Sequence, residues 1–128
     1  LGGKDMLKST EVRIMTMINM HSHFDQAKAE AFAGKLLTAL NNGAICLMVS
    51  IGHRTGLFDI MSQSPPARSE EVAARAGLNE RYVREWLGAM VTGGVVDFDP
   101  ASRCYSLPAE HAAFVTRAAA ADNMAVFG

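Results

Sequence analysis

The sequence predicts a mainly α domain, and three observations carry that expectation. From about position 25 to 92, apolar residues recur at the three- and four-residue spacing of helices with one buried face. Only two short stretches, 95–98 and 103–107, read as strands. At 128 residues the chain fits one domain, with no room for a second of ordinary size.

Composition narrows the function classes. Twelve Lys+Arg against 13 Asp+Glu leave a net charge of −1, which gives no reason to expect a nucleic-acid or anionic-membrane partner. Cys46 and Cys104 lie far apart and form no Cys-x-x-Cys, so neither a disulfide framework nor a zinc site is indicated. A reducing cytoplasm is the expected location. The longest unbroken apolar run, Ala44 to Val49 (or to Ile51 across Ser50), falls short of the roughly 20 residues of a membrane span, so none is expected. Residues 1–24 lack the basic start, apolar stretch and cleavage site of a secretory signal. Because the chain starts at Leu1 and stops within Ala125-Val126-Phe127-Gly128, it reads as a piece of a longer protein.

Residues 1–24 are Met-rich and poorly patterned, with Val12, Met15 and Ile18 forming at best one short stripe. Met15, Met17, Met20, His21 and His23 are donors that suit copper(I), but an unpacked amino terminus accounts for them and no metal site is assigned. His21-Ser22-His23 before Asp25 is similar to a hydrolase metal motif, yet 128 residues cannot build the barrel that motif needs.

Residues 25–128 carry the domain. Asp25 is a good cap for a helix that continues through Phe32, Leu36, Leu37 and Leu40. Asn41-Asn42-Gly43 is a plausible break, although a long kinked helix is not excluded. A second helix runs from about Ala44 to Arg54, with Gly56 as its stop. Between Ala31 and Phe58 the only formal charges are Lys35 and Arg54. A helix apolar all round must be buried all round, and a chain this small has little left to cover two of them. Leu36, Leu37, Leu40, Ile45, Leu47, Met48 and Ile51 are therefore candidates for an interface with a second copy or a missing domain; a mutually buried core is the alternative.

Ser64-Pro65-Pro66 marks a turn. Ser69 reads as the cap of the next helix, with Glu70 and Glu71 in its first turn, Val72, Ala73 and Ala76 inward, and Gly77 at its end. Asn79 caps another, whose stripe is Val83, Trp86, Leu87, Met90 and Val91. Gly93-Gly94 stops it, and Asp99-Pro100-Ala101-Ser102 turns between the two strands. Helix, tight turn, helix and hairpin make a winged helix-turn-helix with extra amino-terminal helices and a small two-stranded wing. A further helix at 110–115 fades near Ala118–Ala121, and Asp122-Asn123 caps a helix whose body is barely present. His111 and Phe114 read as packing residues.

Such a fold invites a DNA-binding reading, in which Arg81, Arg84 and Arg103 would make the contacts. From Ser69 to Leu107, however, four basic residues face six acidic ones. Duplex affinity rests on neutralised phosphates, and this balance works against it. Arg81 and Glu85 are instead spaced to pair at i, i+4. A winged helix-turn-helix transcriptional regulator is the alternative function.

The motifs also carry a family resemblance. Gly56-Leu57-Phe58-Asp59-Ile60-Met61 resembles the Gly-Leu-Phe-Asp helix of many S-adenosylmethionine-dependent methyltransferases. Ser69-Glu70-Glu71-Val72-Ala73 through Gly77-Leu78 is similar to their Glu-Glu-Leu-Ala segment, and Tyr82 to Val91 to the helix after it. Arg103-Cys104-Tyr105-Ser106-Leu107-Pro108 resembles their wing strand. The bacterial subgroup with an amino-terminal winged-helix domain fits best, over about residues 27–127. The resemblance implies a dimerisation and substrate-cap domain, a homodimer, and S-adenosylmethionine bound in the full-length parent. His53, Arg54, Asn123 and Phe127 are then the substrate-cap candidates, although His53 and Arg54 also suit dipole compensation at a helix end. The family's Gly-x-Gly-x-Gly cofactor loop is missing from the sequence. Gly52…Gly56 and Gly93-Gly94 come nearest and read as helix stops. No cofactor, catalytic residue or metal is therefore assigned to this chain, and whether it belongs to an enzyme turns on the parent protein.

Overall fold

A computed structural model describes residues 8–15 and 23–128 of the chain. Contacts divide the chain into two units, residues 1–39 and 40–128. In the first, residues 8–15 are helical (α1). Ile18, Met17, Met20 and His21 lie outside the described residues, and with them most of the amino-terminal stripe and donor set. Asp25 opens α2 (Gln26–Arg54) as its sequence position predicts, its carboxylate accepting from the Lys28 N–H at 3.1 Å.

The break at Asn41-Asn42-Gly43 does not occur, for α2 is a single helix of 29 residues. A glycine inside a helix costs about 1 kcal/mol and an asparagine up to about 0.7, too little to stop a helix that has no proline. By length and composition α2 is also long and apolar enough to cross a membrane. Unbroken apolar runs did not reveal this, because Lys35, Asn41 and Asn42 interrupt them.

The second unit holds the winged fold: α3 (Leu57–Ser62), α4 (Ser69–Ala76), α5 (Glu80–Thr92), β1 (Asp97–Asp99), β2 (Cys104–Ser106) and α6 (Ala109–Val115). Two 3₁₀ segments, Arg117–Asp122 and Ala125–Phe127, come after them. β1 and β2 are antiparallel with Phe98 opposite Tyr105, and Ala67 bridges Tyr105 on its other edge. The strands are shorter than expected at their inner ends. Val95 and Val96 donate their N–H groups to the Met90 carbonyl, closing α5 rather than extending the ladder.

The core sits where α3, α4 and α5 meet. The predicted inward residues Val72, Ala73, Val83, Trp86, Leu87 and Met90 are buried, with Ala76 and Val91 packed at its margin. Leu57, Phe58 and Met61 of α3 join it, as do Ala67, Val96, Leu107 and Ala125. Trp86 stacks edge-on against Phe58, centroids 5.1 Å apart, and its indole N–H donates to the Met48 carbonyl at 2.8 Å. Gly52 is not a helix stop. It lies inside α2, where an added Cβ would stand 2.5 Å from ring carbons of both Phe58 and Trp86. The turn belongs to Gly56, with φ 76. One cap also moves: Arg68 is the cap residue of α4, and Ser69, already helical, donates its hydroxyl to Glu80 at 2.7 Å.

Candidate functional site

The residues that the sequence singled out lie on α2, on the chain beyond α6, and on α5 with the wing. Ile45 and Met48 turn inward and pack against the core of their own unit. Leu36, Leu37, Leu40, Leu47 and Ile51 stand in solvent, as does Phe32, and Leu47 is 67% exposed. At 100° per residue, Phe32 and Leu36 of the first unit share a face away from Lys35 and Thr38, and Leu40, Leu47 and Ile51 of the second share one away from Asn42. Only Ser50 and Gly52 of α2 are buried.

The second surface is built by the chain beyond α6. Arg117 donates its backbone N–H (2.8 Å) and its guanidinium (2.5 Å) to the two carboxylate oxygens of Asp59, fastening this segment to α3. The sequence holds no sign of that clamp, since the two residues lie 58 positions apart with no local pattern. Next, Met124 donates to the Phe114 carbonyl at 2.7 Å, and Ala125 drops into the core. Asn123 is not the cap residue, which is Met124; its side-chain oxygen accepts from the Ala125 N–H at 2.9 Å one residue earlier. The element that follows is a single short turn, Ala125–Phe127.

This path brings two cap candidates together. The Asn123 amide nitrogen stands 3.4 Å from His53 Nδ1 at the last turn of α2, and Asn123 is only 5% exposed. The amide can donate when that imidazole nitrogen carries no proton. Arg54 and Phe127 do not join the pair; both face solvent, Phe127 at 81% exposure. His111 is a packing residue as read, its Nδ1 2.7 Å from the Val95 carbonyl, while Phe114 stays half exposed.

The face that would meet DNA is laced with ion pairs. Arg81 lies 3.5 Å from Glu85, the predicted pair, and Arg84 lies 3.7 Å from Glu80. Arg103, exposed on the wing, occupies a left-handed conformation with φ 59. Asp99 shapes that turn, accepting from the Ser102 hydroxyl at 2.8 Å and the Ala101 N–H at 3.1 Å. Those bonds, the hydroxyl's foremost, hold its carboxyl below the ordinary 3.8. Among the described residues no three His, Cys, Asp or Glu side chains gather closely enough to hold a metal ion.

Three helices packed at a tight turn and closed by a hairpin define the winged helix-turn-helix class. Residues 43–117, more than half the chain, match the family described as the Rv2258c-like winged HTH domain, and the chain belongs to that family. None of the curated proteins matches it. Among solved structures it resembles the mitomycin 7-O-methyltransferase MmcR (TM-score 0.66, 19% identity, 80% of this chain and 30% of that one). It also resembles human N-acetylserotonin methyltransferase in complex with SAM (0.54, 21%, 74% and 27%). A third is a pericyclic reaction enzyme (0.54, 21%, 82% and 31%). At such identities the likeness is one of fold, and the chain spans less than a third of each of these three structures.

Proposed function

We propose that the chain is the dimerisation and substrate-cap domain of a larger S-adenosylmethionine-dependent methyltransferase, acting in the cytoplasm. The observation that carries the reading is the exposed apolar face of α2, a helix charged at its two ends, by Lys28, Glu30 and Arg54, with only Lys35 between them. The face is one-sided, with Lys35, Thr38 and Asn42 away from it. A lipid-embedded helix would be apolar on every side, so a protein partner suits it better. A second copy supplies the same stripe in return, as two-fold interfaces do.

The cap role rests on family fold and on the segment 123–128, which meets α2 at His53 and leaves Met124, Val126 and Phe127 exposed. Of the glycines nearest a cofactor loop, Gly52 is hemmed by two rings and Gly94, with φ 74, follows the end of α5. S-adenosylmethionine would be held by a domain beyond this one. Reading the source gene past Gly128 tests the assignment, the expected result being a continuing frame with a Gly-x-Gly-x-Gly loop after a strand. A stop codon there would remove it. Duplex binding with a steep salt dependence would instead favour the transcriptional regulator. The ion pairs of Arg81 and Arg84 argue for no measurable binding at 0.15 M salt.

A further inference from the structure

We propose that the cleft between the wing and the start of α4 binds a compact, phosphate-bearing small molecule, a role independent of the dimer and cap reading. Three arginines from three separate elements line it: Arg68 at the cap of α4, Arg84 on α5 and Arg103 in the wing turn. Against them stand Glu70 in the lining and Glu80, which lies 3.7 Å from Arg84 Nε. The cleft therefore keeps a positive excess although the surrounding domain is net acidic.

Arg103 supplies the independent observation. Its φ of 59 is a conformation natural to glycine or asparagine, yet the turn places a long cationic side chain there. Asp99 and Ser102 fix that turn, and the Arg103 N–H donates to the Asp99 carbonyl at 2.8 Å. Neither Arg68 nor Arg103 has an ion-pair partner among the described residues. Guanidinium groups lining one cleft from three elements suit a tetrahedral oxyanion, which accepts several charge-assisted bonds at once. The cleft, about 240 Å³, extends to the stacked Phe98 and Tyr105 rings, leaving room for an organic group beside the phosphate.

The test is a titration of the full chain with inorganic phosphate against chloride at constant ionic strength, monitored by arginine Nε–H resonances. Saturable shifts at Arg68, Arg84 and Arg103 are expected. Arg68→Gln and Arg103→Gly should each weaken binding about tenfold, while Arg81→Gln leaves it unchanged. Glycine suits the φ of position 103, so Arg103→Gly should lose the anion without losing stability, which a purely structural arginine would not do. Non-saturating shifts, or equal responses in all three variants, would overturn the proposal. So would a duplex oligonucleotide bound with a steep salt slope and as dependent on Arg81 as on Arg103.

Discussion

Helices α5 and α2 are built on opposite plans. In α5 the apolar stripe Val83, Trp86, Leu87 and Met90 is wholly buried, and the outward positions carry Arg81, Arg84 and Glu85. In α2, more than twice as long, the buried residues are a serine and a glycine, while the leucines stand in water. The first helix is complete within its domain. The second gains its fixed place from a carbonyl offered to Trp86 and a glycine that admits two rings, and keeps its large side chains for something else. Burial of small groups locates a helix; exposure of large ones advertises an interface.

The sharpest way to break that contrast is to charge the exposed face. Leu40→Glu with Leu47→Glu should convert a dimer to a monomer, weakening association at least 100-fold, since each buried leucine contributes about 1.5–3 kcal/mol. Sedimentation velocity reads the change, and far-ultraviolet circular dichroism should show the helix content retained. A wild-type chain that is monomeric at every concentration would sink the interface reading, and one that partitions into lipid vesicles would favour a membrane instead.

Two glycines of α2 let one substitution be tried twice with opposite signs. Gly52→Ala should destabilise by about 1–3 kcal/mol, because its methyl would collide with Phe58 and Trp86. Gly43→Ala should stabilise by about 0.8–1 kcal/mol, since nothing lies within 4 Å of the new carbon. Urea midpoints measured in the Leu40→Glu, Leu47→Glu background compare them without dimerisation. Equal effects would mean that α2 is not seated on the Trp86 ring. A smaller loss, about 1 kcal/mol, is expected for Asp59→Ala, which removes both acceptors of the half-exposed Arg117.

The legible part of the molecule was the part with period and punctuation. The α5 stripe, Gly77, Asn79 and the 99–102 turn stand where the residues announced them, because local chemistry alone decides such positions. The break at Asn41–Gly43 misled, since turn-forming residues only lower helix propensity and a long helix can absorb that. Gly52 looked like a stop because a sequence does not show the rings that press on it. His53 and Asn123 were singled out separately, by helix end and family position, and only the fold brought them within 3.4 Å. Asp59 and Arg117 had no local signal at all, for their pairing is set by where α6 ends. The three-arginine cleft was hidden in the same way: the charges were countable, but their place in one cleft was not.

The smallest effect concerns the wing, where local bonds rather than burial impose the geometry. The Asp99 carboxyl is lowered chiefly by the Ser102 hydroxyl, then by the Ala101 N–H, so folding favours its charged form. A depressed folded value means that the stabilisation is complete above the unfolded value of 3.8 and fades as pH falls through the folded one. Monitoring the Asp99 carboxyl carbon and the Ala101 amide by NMR should therefore give a midpoint below 3.8 in the wild type, moving up towards it in Ser102→Ala. The group is fully exposed, so global stability should scarcely change across that range, unlike the response to Gly52→Ala. A wild-type midpoint at or above 3.8 would show that the hydroxyl does not hold the turn. Arg103 would then lose the local support that sets its left-handed backbone in the cleft.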